Sequence, residues 1–190
     1  GASLGLAIEQ DAPVRIGPDG RTAVALPSWY PVSATYLAVP IVIDGQTRGE
    51  LVAAEKRGGA SFTPICEMLL ATYAVEAGAV LRSALLSEAV DEALEAVSVE
   101  RSRSGVMTER GDVVLDIARR LTGTLDRSAI LQTIVRELNG HLASDAATIR
   151  VVHGEELRLA AWAGMADGEA SELPTFRRDE VRETLTRLCE

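Results

Sequence analysis

The sequence predicts an α+β fold: a central antiparallel sheet with helices packed on one face and a long connecting helix. Three observations predict it. Two apolar runs flank Asp44-Gly45, a short-range signal for an antiparallel hairpin. A second pair of alternating runs, Ala147–Val152 and Leu157–Trp162, flanks the turn His153-Gly154-Glu155-Glu156. Between the hairpins lies a long helical pattern, with no proline from Pro64 to Pro174.

Taken in order, residues 1–34 offer one strand, Pro13-Val14-Arg15-Ile16. The rest of that region reads as loop, with Gly17-Pro18-Asp19-Gly20 and Pro27-Ser28-Trp29-Tyr30-Pro31. In the first hairpin Leu37, Val39, Ile41 and Ile43 alternate and share one sheet face. Pro40 interrupts that run and cannot donate to a ladder, so the strand is expected at an edge or bulged there. Gly58-Gly59 forms a loop before the long helix.

That helix is expected from Thr63 to about Arg101, with a break at Ser102-Arg103-Ser104-Gly105. Its apolar side is narrow and alanine-rich. A helix this long outruns a small domain, so it is expected to pack against a copy of itself. Leu81, Leu85 and Val97 are the expected contacts of that homodimer.

A second helix is expected over Asp112–Leu121, then a turn, Thr122 to Asp126, that caps a third. The third helix carries Ile130, Leu131, Ile134, Val135 and Leu138 as a wide buried face and is expected to end at Asn139-Gly140. The strand after it reads as half-buried. The chain closes with a helix expected to align Phe176, Val181, Leu185 and Leu188.

Charge and cysteine usage exclude several classes. With 19 basic and 28 acidic residues the net charge is −9, which argues against non-specific nucleic-acid binding. No uninterrupted apolar run reaches the ~18 residues of a membrane span, and no signal-peptide pattern opens the chain, so a cytoplasmic location is expected. Cys66 and Cys189 make neither a disulfide framework nor a zinc cluster. Cys66 falls in the first turn of the long helix, where the dipole favours a thiolate; the plainer reading is a small buried or half-buried side chain, and that is the one expected. There is no Ser-His-Asp motif, phosphate loop or clustered metal ligand set, so no catalytic or metal residues are expected. Lys56 is the only lysine.

The first block resembles the back half of a GAF domain, the small-molecule sensor module of bacterial signalling proteins and cyclic-nucleotide phosphodiesterases. The resemblance is carried by Val39-Pro40-Ile41, Asp44-Gly45, Gly49-Glu50-Leu51-Val52 and Phe62-Thr63 before the closing helix. The last block resembles the front half, through Leu125-Asp126, Ile130-Leu131, Ala146-Ala147-Thr148-Ile149-Arg150, Leu157-Arg158-Leu159 and Ala163-Gly164. The chain thus presents residues 1–86 as a back half, 87–107 as a helical linker and 108–190 as a front half. An isolated half leaves an unpaired edge and an apolar face in water. Each half is therefore expected to find its complement, in a circular permutant, in a fragment of two tandem domains, or across a swapped dimer.

The resemblance implies a GAF/PAS-like sheet, a cytoplasmic sensory or regulatory role, and relay of a signal through the long helix. The alternatives are a ligand-free dimerisation module and, further off, a small redox enzyme of this fold. The pocket is expected between the sheet and its covering loops, with Trp29, Tyr30, Tyr36, Arg150 and Trp162 as ligand contacts. Arg158 is a further anion-binding candidate if it faces inward. The family's cyclic-nucleotide members carry an Asn-Lys … Phe … Asp-Glu signature. Here it reads Glu55-Lys56 … Phe62 … Cys66-Glu67, so the ligand class and any cofactor stay open, and a cyclic nucleotide is not the expected ligand.

Overall fold

A computed structural model describes residues 6–17, 35–103, 126–166, 170 and 175–177. Of residues 6, 91, 94, 95, 97–103 and 176 it describes the backbone alone. The elements are α1 (Leu6–Gln10), β1 (Val14–Ile16), β2 (Tyr36–Ile43), β3 (Gln46–Lys56) and a 3-10 turn (Arg57–Gly59). There follow α2 (Pro64–Arg103), α3 (Arg127–Leu142), β4 (Ser144–His153), β5 (Glu156–Ala163) and β6 (Phe176–Arg177). The fold is α+β. Its six strands form one antiparallel sheet in the order β1-β2-β3-β4-β5-β6.

Each hairpin follows from its turn. Asp44 and Gly45 both take positive φ, 51° and 74°, the backbone of a two-residue hairpin turn whose twist matches the strands. Gly154, at φ 61°, serves the second hairpin. The two hairpins meet at the sheet's centre, where β3 pairs with β4 from Gly49↔Val151 to Lys56↔Ser144. The first and last blocks of the chain therefore complete one sheet within a single chain.

Pro40 sits where its chemistry allows. β1 pairs only with Tyr36–Ala38, so among the described residues the outer side of β2 is unpaired from Val39 onward. A bulge follows between Ile41 and Val42.

The sheet has two covered faces. On one, Leu37, Val39, Ile41, Leu51, Ala53, Ala147 and Ile149 pack against Leu70, Ala74 and Ala77 of α2 and the inner side of α3. On the other, Tyr36, Ala38, Val52 and Leu157 pack with Val14, Ile16 and two residues of α1, Ala7 and Ile8. Helices were expected on one face only; the two long ones obey this and the short α1 does not. Nor is β4 half-buried: Thr148 and Arg150 on its second face are buried, as are Ala147 and Ile149 on the first.

Two element assignments also differ from expectation. The helix expected to stop at Asn139-Gly140 runs to Leu142. Ala143 ends it in the left-handed conformation, φ 49°, with its N–H shared between the carbonyls of Asn139 and Gly140. The Asn139 side chain instead accepts a 2.8 Å bond from Ser144, and Leu142 earns its turn by burial. Phe176 lies in strand β6, not in a helix, because Glu156 and Leu157 at the start of β5 offer it an edge. The segment Pro64–Val90 is, by length and composition, apolar enough to cross a membrane, at a hydropathy of 1.4. Alanine raises that average, while Glu67, Glu76, Arg82 and Glu88 interrupt any continuous apolar run. The helix expected over 112–121, the end of the break at 102–105 and the closing residues 181–188 lie outside the described residues.

Candidate functional site

The second sheet face holds the fold's most unusual burial. Glu50 on β3 and Arg150 on β4 are 0% and 1% exposed. The β3–β4 register sets them directly opposite one another. Charges are rarely so buried unless compensated, because desolvation costs several kcal/mol per ion. Opposite charges on facing strand positions are one arrangement that supplies such compensation.

The same register aligns the rest of the face. Val52 stands opposite Thr148, and Thr148 opposite Trp162. Across β2, Tyr36 aligns with Ala54 and Pro40 with Glu50. Tyr36, Glu50, Thr148, Arg150 and Trp162 thus occupy one face across four strands, opposite the face that α2 and α3 cover. Three of the five expected contact residues, Tyr36, Arg150 and Trp162, share this face, with Tyr36 two strands from Arg150 and three from Trp162. Tyr36 is buried and Trp162 half-buried. The backbone of Trp162 is fixed from the other side: its carbonyl accepts from Gln132 Nε2, at 2.5 Å, on α3. Trp29 and Tyr30 lie outside the described residues. Arg158 does not face inward; it is exposed and bonds Glu156 on its own strand at 2.7 Å.

Glu50 is the residue that sequence reasoning did not single out as a site. The turn alone does not place it: the register set at Ile43↔Gln46 would put Glu50 opposite Val39, and the bulge between Ile41 and Val42 shifts it opposite Pro40, on the Tyr36 face. At the hairpin end of this face a small polar crevice of about 370 Å³ lies between Ile8, Asp11, Thr47, Arg48 and Val152.

A second cluster gathers at the helix ends. The Lys56 ammonium lies 5.2 Å from the centre of the Phe62 ring. It donates to the Leu142 carbonyl at 3.0 Å and lies 3.5 Å from Cys66 Sγ. Thr63 Oγ1 donates to the same sulfur at 3.3 Å and accepts from the Cys66 N–H at 3.4 Å. Partial burial pushes the Cys66 thiol up, but the Thr63 bonds and the Lys56 charge outweigh it, and the pKa lies below the ordinary thiol value. The preceding residue, Glu55, has left-handed backbone at φ 53°, with its N–H on the Thr35 carbonyl at 2.9 Å. Among the described residues no group of three or more potential metal-ligating side chains occurs.

No family model matches the chain. No solved structure matches it either.

The expected dimer contacts divide. Leu81 is half-buried and packs against the domain's own core. Leu85 is exposed, and the side chain of Val97 lies outside the described set. On the flank of α2 an open groove of about 490 Å³ runs along β2 between Val39, Pro40, Val42, Ala71, Val75 and Gly78.

Proposed function

We propose that this chain is a cytoplasmic sensory or regulatory domain of GAF type, not an enzyme. In this reading the second sheet face takes a small ligand and α2 carries the state of the sheet away from it. The observation that carries the reading is the burial of Glu50 and Arg150 at facing positions of β3 and β4, on the face that the long helices leave to shorter cover. A buried guanidinium is a fixed, always-charged donor for an anionic group. Tyr36 and Trp162 supply flat apolar surface on the same face, and apolar surface with a few polar anchors is the usual composition of a ligand pocket.

Two further observations support the family resemblance. Taken with the second block first, the elements run α3-β4-β5-β6-α1-β1-β2-β3-α2. The first and last strands of that order, β4 and β3, are neighbours at the centre of the sheet. The signature positions also converge: Lys56, Phe62 and Cys66 meet at one point, and Glu55 keeps a left-handed backbone that asparagine tolerates better.

Native mass spectrometry of protein purified without added ligand tests this function. The expected result is a retained small molecule that is lost in Arg150→Gln. A bare-chain mass, with no component of a small-molecule extract raising the melting temperature, overturns it. A ligand-free interaction module is the second reading, and the outward side of α2 favours it.

A further inference from the structure

We propose that Lys56 and Cys66 form a site of covalent modification, at which a hydroperoxide joins the two side chains by a sulfur–nitrogen bond and so ties β3 to α2. The inference does not rest on the ligand-sensing reading, since it uses other residues and its test needs no ligand. What singles out the pair is contact. Lys56 Nζ lies 3.5 Å from Cys66 Sγ, although the two residues stand 10 positions apart. Cys66 is a free, half-buried cysteine. Two nucleophilic side chains therefore meet at one point.

The fold holds both ends of this contact. Strand β3 ends at Lys56, opposite Ser144 of β4. Gly58 and Gly59, at φ 79° and 69°, then turn the chain back toward α2 in a conformation that favours glycine. Thr63 Oγ1 accepts from the Cys66 N–H and fixes the thiol in the first turn of the helix. The ammonium is held by the Leu142 carbonyl at 3.0 Å and by the buried Phe62 ring, whose centre is 5.2 Å away. Among the described residues no carboxylate forms an ion pair with it. The anion left to it is the Cys66 thiolate, which the Thr63 bonds and the Lys56 charge favour.

The chemistry follows from that pairing. A thiolate is the nucleophilic form of cysteine. The Cys66 sulfur takes an oxygen of hydrogen peroxide, the O–O bond breaks, and a sulfenic acid and a hydroxide ion result. The hydroxide removes a proton from the Lys56 ammonium and becomes water. The free amine then attacks the sulfenic sulfur. The S–N bond forms, the S–O bond breaks, and the departing hydroxide leaves with an amine proton as a second water. In sum, thiolate, ammonium and one peroxide give a sulfenamide and two waters, the sulfur losing two electrons and the peroxide gaining them. Sulfenic acids condense with neighbouring nitrogen in this way. Here the neighbour is an amine already in contact, on a flexible four-carbon stem. The product ties the central strand β3 to the start of α2.

The test uses the full chain with Cys189→Ser, treated with hydrogen peroxide, quenched and then denatured. Lys56 is the only lysine, so a lysine-specific protease cuts the untreated chain once. A glutamate-specific protease releases residues 56–67, which hold both groups and no methionine. After peroxide the lysine cut is expected to be lost. The 56–67 peptide is expected to weigh about 2 Da less, the mass of the hydrogens that the S–N bond replaces. Dithiothreitol is expected to restore the cut and the mass. In Lys56→Arg the reaction is expected to stop at the sulfenic acid, which dimedone traps, and the chain that keeps Lys56 is expected to trap less. A lysine cut that persists overturns the proposal, whether the peptide is unchanged, has gained oxygen, or has lost the same mass to a bond with a backbone nitrogen. So does an uncut chain whose 56–67 peptide has gained oxygen, and so does equal dimedone labelling with and without Lys56. The protease result needs no change at Lys56, and it decides the matter if Lys56→Arg does not fold.

Discussion

The two long helices lie on the same face of the same sheet, and they solve different problems. Helix α3 is finished by its own domain. Its apolar residues Leu131, Ile134, Val135, Leu138 and Leu142 are all buried, and Thr133, Arg136, Glu137 and His141 face outward. Helix α2 buries Leu70, Ala74 and Ala77 against β2 and β3 and still shows Ile65, Met68, Val75 and Leu86 to solvent. An amphipathic helix needs one neighbour, and a helix apolar on opposite sides needs two. The difference separates stability, which α3 serves, from association, which α2 is free to serve.

Cavity formation breaks this comparison most sharply. Leu138→Ala on α3 is expected to cost about 2–5 kcal/mol at any protein concentration, because Leu138 is fully buried in the main core. Val75→Ala on α2 is expected to cost under about 0.5 kcal/mol in the dilute protein. Its effect should appear only as a loss of concentration dependence in the melting temperature. Urea melts at two protein concentrations check both. Equal losses at the two positions would remove the distinction between the helices.

The next effect is at the helix starts. Asp126 caps α3, its carboxylate accepting from the Ala129 N–H at 3.1 Å. Asp126→Ala is expected to cost about 1 kcal/mol, read from a denaturant midpoint. At the other end of α3 the sign reverses. Ala143 holds a left-handed backbone that favours glycine, so Ala143→Gly is expected to stabilise by roughly 0.5–1 kcal/mol. A loss on that change would mean that the alanine methyl packs more than its backbone strains.

The contrast between the helices also explains what was legible in the sequence. Helix α3 and both hairpins could be read because their patterns are local: Asp44-Gly45 marks one turn, Gly154 the other, and a wide apolar face marks α3, whereas the register beyond each bulge is not set by the turn. The extent of α2 was legible from the absence of proline, but its contacts were not. Leu81 and Leu85 are only four residues apart, yet one packs on the sheet and the other is exposed. With alanine on every side, no periodicity separates a face that meets the sheet from one that meets a partner. Of the site, Tyr36, Arg150 and Trp162 were legible as residue types on strands. Glu50 was not, because a buried carboxylate is recognised by its cross-strand neighbour, and Arg150 lies a hundred positions away in the sequence.

The smallest effect in energy is the most specific in location, where the two helices meet. Lys56 points at the carbonyl end of α3, through Leu142, and at the amino end of α2, through Cys66. A cation is favoured at the first. At the second, the same charge and the Thr63 hydroxyl favour the thiolate. Because the folded thiol titrates below its unfolded value, the stabilisation it contributes is fully present above the unfolded pKa and is lost as pH falls through the folded one. The rate of iodoacetamide alkylation against pH, measured in Cys189→Ser protein, reads this directly. Its midpoint is expected below that of the same chain in denaturant. Lys56→Met should move it upward while leaving the Thr63 bonds in place. An unmoved midpoint would assign the thiolate to the helix start and Thr63 alone, and would leave Lys56 as a tie to α3 with no influence on α2.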